Sequence, residues 1–156
     1  MLQRIQSVYL FFAALVLFGL FLFPLAHTIY INGVASTIKV SGIFQDVNGQ
    51  QNMVTPFTLL SIVTAIVGLI PLAIIFAYKN RKKQITFCYL SILVIIFYSF
   101  WLAQTVKDAT GDGFEMKTGN MGIGIFLSSL SIVLILFAAR AIKNDEKLIR
   151  SADRLR

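Results

Sequence analysis

Four apolar blocks limit what this chain can become. They lie at about 7–26, 56–78, 85–106 and 120–140, and between their ends none carries Asp, Glu, Lys, Arg or His. At 1.5 Å per residue, roughly twenty residues of helix cross a bilayer hydrocarbon core of about 30 Å. A soluble domain of 156 residues has nowhere to hide an apolar fraction of 57%, and its charged fraction would be about twice the 13% found here. The lipid bilayer is therefore the first expected partner.

The first block, "SVYLFFAALVLFGLFLFPLA", follows a short basic start at Arg4. It exceeds the usual length of a signal-peptide core, and "PLAHT" is a poor cleavage site, so a retained helix is expected. In the second block Pro56 suits a first helical turn, while Pro71 should kink the helix.

Basic residues orient these spans. Arg4, Lys79, Arg81, Lys82, Lys83, Arg140, Lys143, Lys147, Arg150, Arg154 and Arg156 share one side; Lys39, Lys107 and Lys117 lie on the other. Eleven against three puts both termini in the cytoplasm. Tyr9, Tyr78 and Tyr89 near the inner ends, with Tyr98 and Trp101 near an outer one, fit aromatic belts.

The outer loop 27–55 carries strand signals. Asn32 and Gly33 separate "IYI" from "VAS" as a two-residue hairpin turn would. A second strand pair around "TIKVSGIF", a turn at Asn48 and Gly49, and a short strand at "FEMK" in the loop 107–119 would complete a small cap. The expected fold class is thus an all-α membrane protein. It would be one domain over 1–156, an antiparallel four-helix transmembrane bundle with a small extracytoplasmic β cap and a cytoplasmic helical tail at 141–156.

Chemistry is harder to find. Pumps and proton-coupled transporters keep ionisable groups at membrane depth, and these spans hold none. His27 is the lone histidine and has no zinc-ligand spacing around it. Its company of Ser36 and Ser41 is coexistence in one loop rather than a nucleophile–base pair. Asp108, Asp112 and Glu115 do not follow the calcium-loop pattern, and "TGNMGIG" matches neither a phosphate loop nor a dinucleotide fingerprint. Cys88, the single cysteine, sits in an apolar block and reads as a small buried hydrophobe. No catalytic, cofactor or metal residue is assigned, and an enzyme is not expected. The basic "KNRKK" link is explained by topology, so nucleic acid is not an expected partner.

Small residues mark candidate helix-packing positions: Ser61 with Ala65, Thr64 with Gly68, and Gly124 with Ser128 and Ser131. The fourth block also carries a seam that runs past the membrane. Ser131, Leu134, Ala138, Ala141, Asp145, Leu148, Ala152 and Leu155 follow heptad spacing, with Asp145 the one charged member. Six residues before the first span and a short inner link leave little chain to cover it. Asp145, Leu148, Ala152 and Leu155, flanked by Arg150 and Arg154, are therefore candidate docking residues for a protein partner or a second copy. A basic amphipathic helix can also lie on anionic lipid. The reading that follows is a non-catalytic accessory or scaffold subunit. The alternative is a small channel or carrier for neutral or apolar solutes, lined by Ser61, Thr64, Ser99 and Ser131.

The start "MLQRIQSVYL" and the finish "DEKLIRSADRLR", bracketing four apolar blocks, resemble the small bacterial membrane proteins of domain-of-unknown-function family 4293. The resemblance covers essentially the whole chain, and "RSADRLR" is its most specific part. It implies a four-span inner-membrane protein of Gram-negative bacteria, and it supplies no catalytic residues to carry over.

Overall fold

Apolar continuity builds the helices, and polar turns between short β-prone runs build a sheet. The computed structural model describes residues 3–31, 34–47, 50–78, 80–111 and 118–154. Helix α1 (Gln3–Phe18) tightens into a 3-10 turn at Gly19–Phe21, just ahead of Pro24, which cannot continue a helix. Strands β1 (Ala26–Ile31), β2 (Val34–Lys39), β3 (Gly42–Val47) and β4 (Gln50–Pro56) follow. They form one antiparallel sheet in the order β1-β2-β3-β4.

This sheet overturns the all-α fold class. Four strands joined in one meander make a layer of their own beside the helices, so the chain is α+β rather than a helical bundle with a minor cap. The physical reason lies in the turns. Ile31 pairs with Val34 and Val47 with Gln50, so the sheet doubles back at both Asn-Gly pairs, and Lys39 pairs with Gly42 between them. Residues 32–33 and 48–49 themselves lie outside the described residues, as does the strand expected at 114–117. Gly42 has φ of 153°, and a Cβ there would run into the Thr55 carbonyl of β4. β1 is irregular between Ala26 and Ile29, where Thr28 takes a left-handed φ of 55°.

Helices α2 (Thr58–Phe76), α3 (Arg81–Thr110) and α4 (Gly124–Arg154) complete the chain. Pro56 closes β4 and stands before α2, whereas Pro71 lies buried within it. Asn80 caps α3, its side chain accepting from the Lys83 amide at 3.4 Å.

Three helices, Thr58–Phe76, Arg81–Thr110 and Gly124–Leu148, are long and apolar enough to cross a membrane; the apolar helix Ile5–Phe21 is shorter. Their outer faces hold Phe76, Phe97 and Phe100 at 80%, 68% and 73% exposure, a surface that suits hydrocarbon and not water. The protein is a membrane protein.

α1 packs against α2 and α4, and α3 closes the ring against α4 and α2. Leu10, Leu17, Ile95, Ile135 and Ile142 fill the shared core. At one end the sheet is tied to these helices through the backbone. The Leu25 amide donates to Ile38, the Gly122 amide to Leu25 and the Gly124 amide to Pro24, at 2.8, 2.9 and 2.9 Å. Gly122 and Gly124 are needed there because a Cβ on either would press into the Pro24 carbonyl. Met121 adds a single bridge to Ala26.

Candidate functional site

Polar side chains gather at the other end of the helices. α1 and α4 run antiparallel: Ser131 Oγ donates to the Ala13 carbonyl at 3.2 Å, and the Tyr9 and Phe137 rings lie 5.9 Å apart. Following that pairing away from the sheet brings Gln6 to Asp145, and the Gln6 Nε2 donates to the Asp145 Oδ2. Both are buried, at 5% and 7% exposure. The contact answers a need visible in the seam, since a carboxylate on an apolar stripe requires a donor.

Gln84, in the first turn of α3, is equally buried, and its Nε2 donates to the Ile74 carbonyl at 3.2 Å. Ile74 is in the last turn of α2, and its carbonyl also accepts the Ala77 amide at 3.1 Å. The link of α2 to α3 is thereby held by a side chain as well as by its short length. Between α1 and this link opens a cavity of about 510 Å³, with Gln6, Ser7, Tyr78, Arg81 and Gln84 as its polar lining. Val8 and Ile75 form its apolar wall. Arg81 is half-buried, and among the described residues no carboxylate pairs with its guanidinium.

The candidate docking residues separate into groups. Asp145 faces α1 through Gln6, whereas Leu148 is 58% exposed. Arg150, Ala152 and Arg154 lie on the continuing α4 backbone, and Leu155 falls outside the described residues.

The packing residues meet three different neighbours. Ser61 donates to the Val40 carbonyl beside β2 at 3.2 Å, so the sheet approaches α2 there. Thr64 is 2.5 Å from the Tyr98 hydroxyl of α3 and donates to the Leu60 carbonyl. A Cβ on Gly68 would meet the Phe18 ring of α1 at 3.1 Å, and Ala65 is half-buried nearby on α2. On α4, Gly124 meets Pro24, Ser131 holds Ala13, and buried Ser128 donates to the Ile125 carbonyl of its own helix.

The remaining chemistry-bearing residues stay apart. His27 is half-buried on β1, and Ser36 is buried with its hydroxyl on the Val34 carbonyl. Asp108 accepts from Gln104, while Asp112 and Glu115 lie outside the described residues. Among the described residues no three His, Cys, Asp or Glu side chains come together. Gln6 and Gln84 are the residues sequence reasoning passed over. Asp145, alone on its stripe, was the signal that could have found Gln6; nothing local marks Gln84.

The family model described as Domain of unknown function (DUF4293) matches residues 2–155. No curated protein matches the chain.

Proposed function

The chain belongs to the DUF4293 family, and on that premise we propose that it is a non-catalytic accessory or scaffold subunit of the bacterial inner membrane. In this reading its four helices cross the bilayer, both termini are cytoplasmic, and the end of α4 docks an acidic segment of a protein partner. The start of α1, the α2–α3 link and the end of α4 share one end of the molecule. The sequence concentrates its basic residues on that side, which supports a cytoplasmic assignment. Helix α1 is the shortest apolar segment, and local bilayer thinning accommodates a short span at modest cost.

One observation carries the docking reading: the level at which Gln6 meets Asp145. Gln3 lies one turn before Gln6, so α1 is used up near the level of residue 148 on its antiparallel neighbour. α4 remains helical to Arg154, roughly 9 Å further at 1.5 Å per residue. Lys147, Arg150 and Arg154 give this stretch a basic character, and acidic protein surface is its complement. The carrier reading has less support. Ser61, Thr64, Ser99 and Ser131 each donate to a backbone carbonyl and are spread over separate helix contacts.

A photocrosslinker at Leu148 or at Leu155 in native membranes tests the proposal. Adducts to another membrane-associated protein with an acidic cytoplasmic segment support it. Adducts to lipid alone would sink it, and adducts to a second copy would replace a distinct partner with self-association.

A further inference from the structure

We propose that the cavity between α1 and the α2–α3 link binds a phosphate-bearing anion, with its charge on Arg81 and any apolar portion along Val8 and Ile75. This site is independent of the docking role given to α4.

Three observations converge on an anion. Arg81 is half-buried, lines the cavity and has no carboxylate partner among the described residues. A cation at a cavity wall with no carboxylate beside it attracts a counter-charge, and guanidinium matches phosphate geometry with paired donors. Arg81 is also the first residue of a 30-residue helix, whose positive end favours negative charge there. Finally, the floor is built rather than incidental. Gln6 and Gln84, at 5% and 3% exposure, are each fixed by one hydrogen bond, to Asp145 and to the Ile74 carbonyl. Each amide keeps further hydrogen-bonding capacity at the cavity. Asp145 itself is not part of the lining, so its carboxylate does not stand in the anion's place.

The wall decides which kinds of anion fit. Val8 is 48% exposed on the apolar surface of α1, Ile75 is half-buried on α2 against the core, and Tyr78 is 55% exposed. A phosphodiester headgroup carrying acyl chains satisfies both the cation and this wall, as basic pockets between spans do on the cytoplasmic side. Free phosphate shares the charge chemistry and would use Arg81 alone.

The full chain, delipidated in neutral detergent, can be offered phosphatidylglycerol, phosphatidylcholine or inorganic phosphate and followed by native mass spectrometry. Phosphatidylglycerol should be retained in preference to phosphatidylcholine. Arg81→Gln should weaken that retention roughly tenfold, the worth of a charge-assisted contact, while Lys82→Gln, on the exposed side of the same turn, should leave it unchanged. Inorganic phosphate that displaces the lipid, or binds without it in an Arg81-dependent manner, supports the anion site and identifies the free ion as a second source. Equal retention by Arg81→Gln and the native chain overturns the proposal. So does an equal loss in Lys82→Gln, which would mean unspecific surface charge. Should Arg81→Gln fail to elute as a folded species, Val8→Trp fills the cavity without altering charge. It must then exclude the lipid, and unchanged retention would refute the site.

Discussion

Gln6 and Asp145 stand 139 positions apart in sequence and share a buried hydrogen bond near the start of α1. This contact sets the register of the two terminal helices at the end away from the sheet. Its energetic asymmetry yields a first prediction. Gln6→Leu leaves the Asp145 carboxyl buried without its donor, and a stranded buried group costs about 1–3 kcal/mol. The double variant Gln6→Leu with Asp145→Leu removes both polar groups and should recover most of that loss. Thermal unfolding of the two single variants and the double in neutral detergent gives the coupling directly. Additive losses would mean that the pair contributes nothing as a pair.

The tie between sheet and helices predicts an ordering among glycine substitutions. A Cβ at Gly122 would collide with the Pro24 carbonyl, a backbone atom held by its own hydrogen bond from Gly124. Gly19 instead faces the flexible Leu127 side chain at 3.3 Å. Gly122→Ala should therefore destabilise by about 1–3 kcal/mol, as overpacking does, and Gly19→Ala by much less. Unfolding midpoints measured side by side test the order.

What the sequence made legible follows from where each signal is local. The apolar blocks marked the helices because burial in lipid demands continuous hydrophobicity, and the two Asn-Gly pairs marked hairpins because turn chemistry is a two-residue property. The extent of the sheet was less readable. β4, with "QQNMVTP", is exposed at residues 51–56 on both faces, so it has no alternation to betray a strand. The seam on α4 was readable as far as its spacing, but its cover was not. Counting six residues ahead of the first span treated them as a tail, whereas α1 begins at Gln3 and lays Gln6 on Asp145. Gln84 was illegible for a related reason: its partner is a backbone carbonyl at a neighbouring helix end, a group no side-chain pattern announces.

Thr28 offers a stabilising change. It holds φ of 55° in the irregular stretch of β1 and is exposed, so nothing evident packs on its side chain. A β-branched residue in the left-handed region costs on the order of 1–3 kcal/mol, and glycine does not incur that strain. Thr28→Gly should leave the fold intact and raise stability by up to about 1 kcal/mol, after the extra chain entropy of glycine is subtracted. A lower unfolding midpoint would show that the bend is held by something other than backbone preference.

The Thr64–Tyr98 contact joins α2 to α3 inside the membrane-spanning region, at 2.5 Å. Thr64 also donates to the Leu60 carbonyl at 2.6 Å, so it keeps a partner when the phenol is lost. Tyr98→Phe should consequently cost only about 0.6 kcal/mol, the usual worth of such bonds between spans. Thr64→Val strands the Tyr98 hydroxyl and should cost more. Unfolding of both variants in one detergent checks the inequality, and the reverse order would assign Thr64 a lesser role than its two bonds imply.

Ending the chain after Leu148 separates the structural part of α4 from the part assigned to docking. Residues 149–154 continue the α4 backbone beyond the level at which α1 begins. Stability in detergent should change by less than about 0.5 kcal/mol, the range of surface substitutions. Recovery of a crosslinked protein partner from position 148 should fall sharply, because the basic Arg150 and Arg154 go with the deleted residues. A loss of stability of about 2 kcal/mol or more would mean that the end of α4 is held by its own chain, and the docking role would fail with it. Unchanged stability together with unchanged crosslinking would move the partner contact upstream, onto the face that Leu148 exposes.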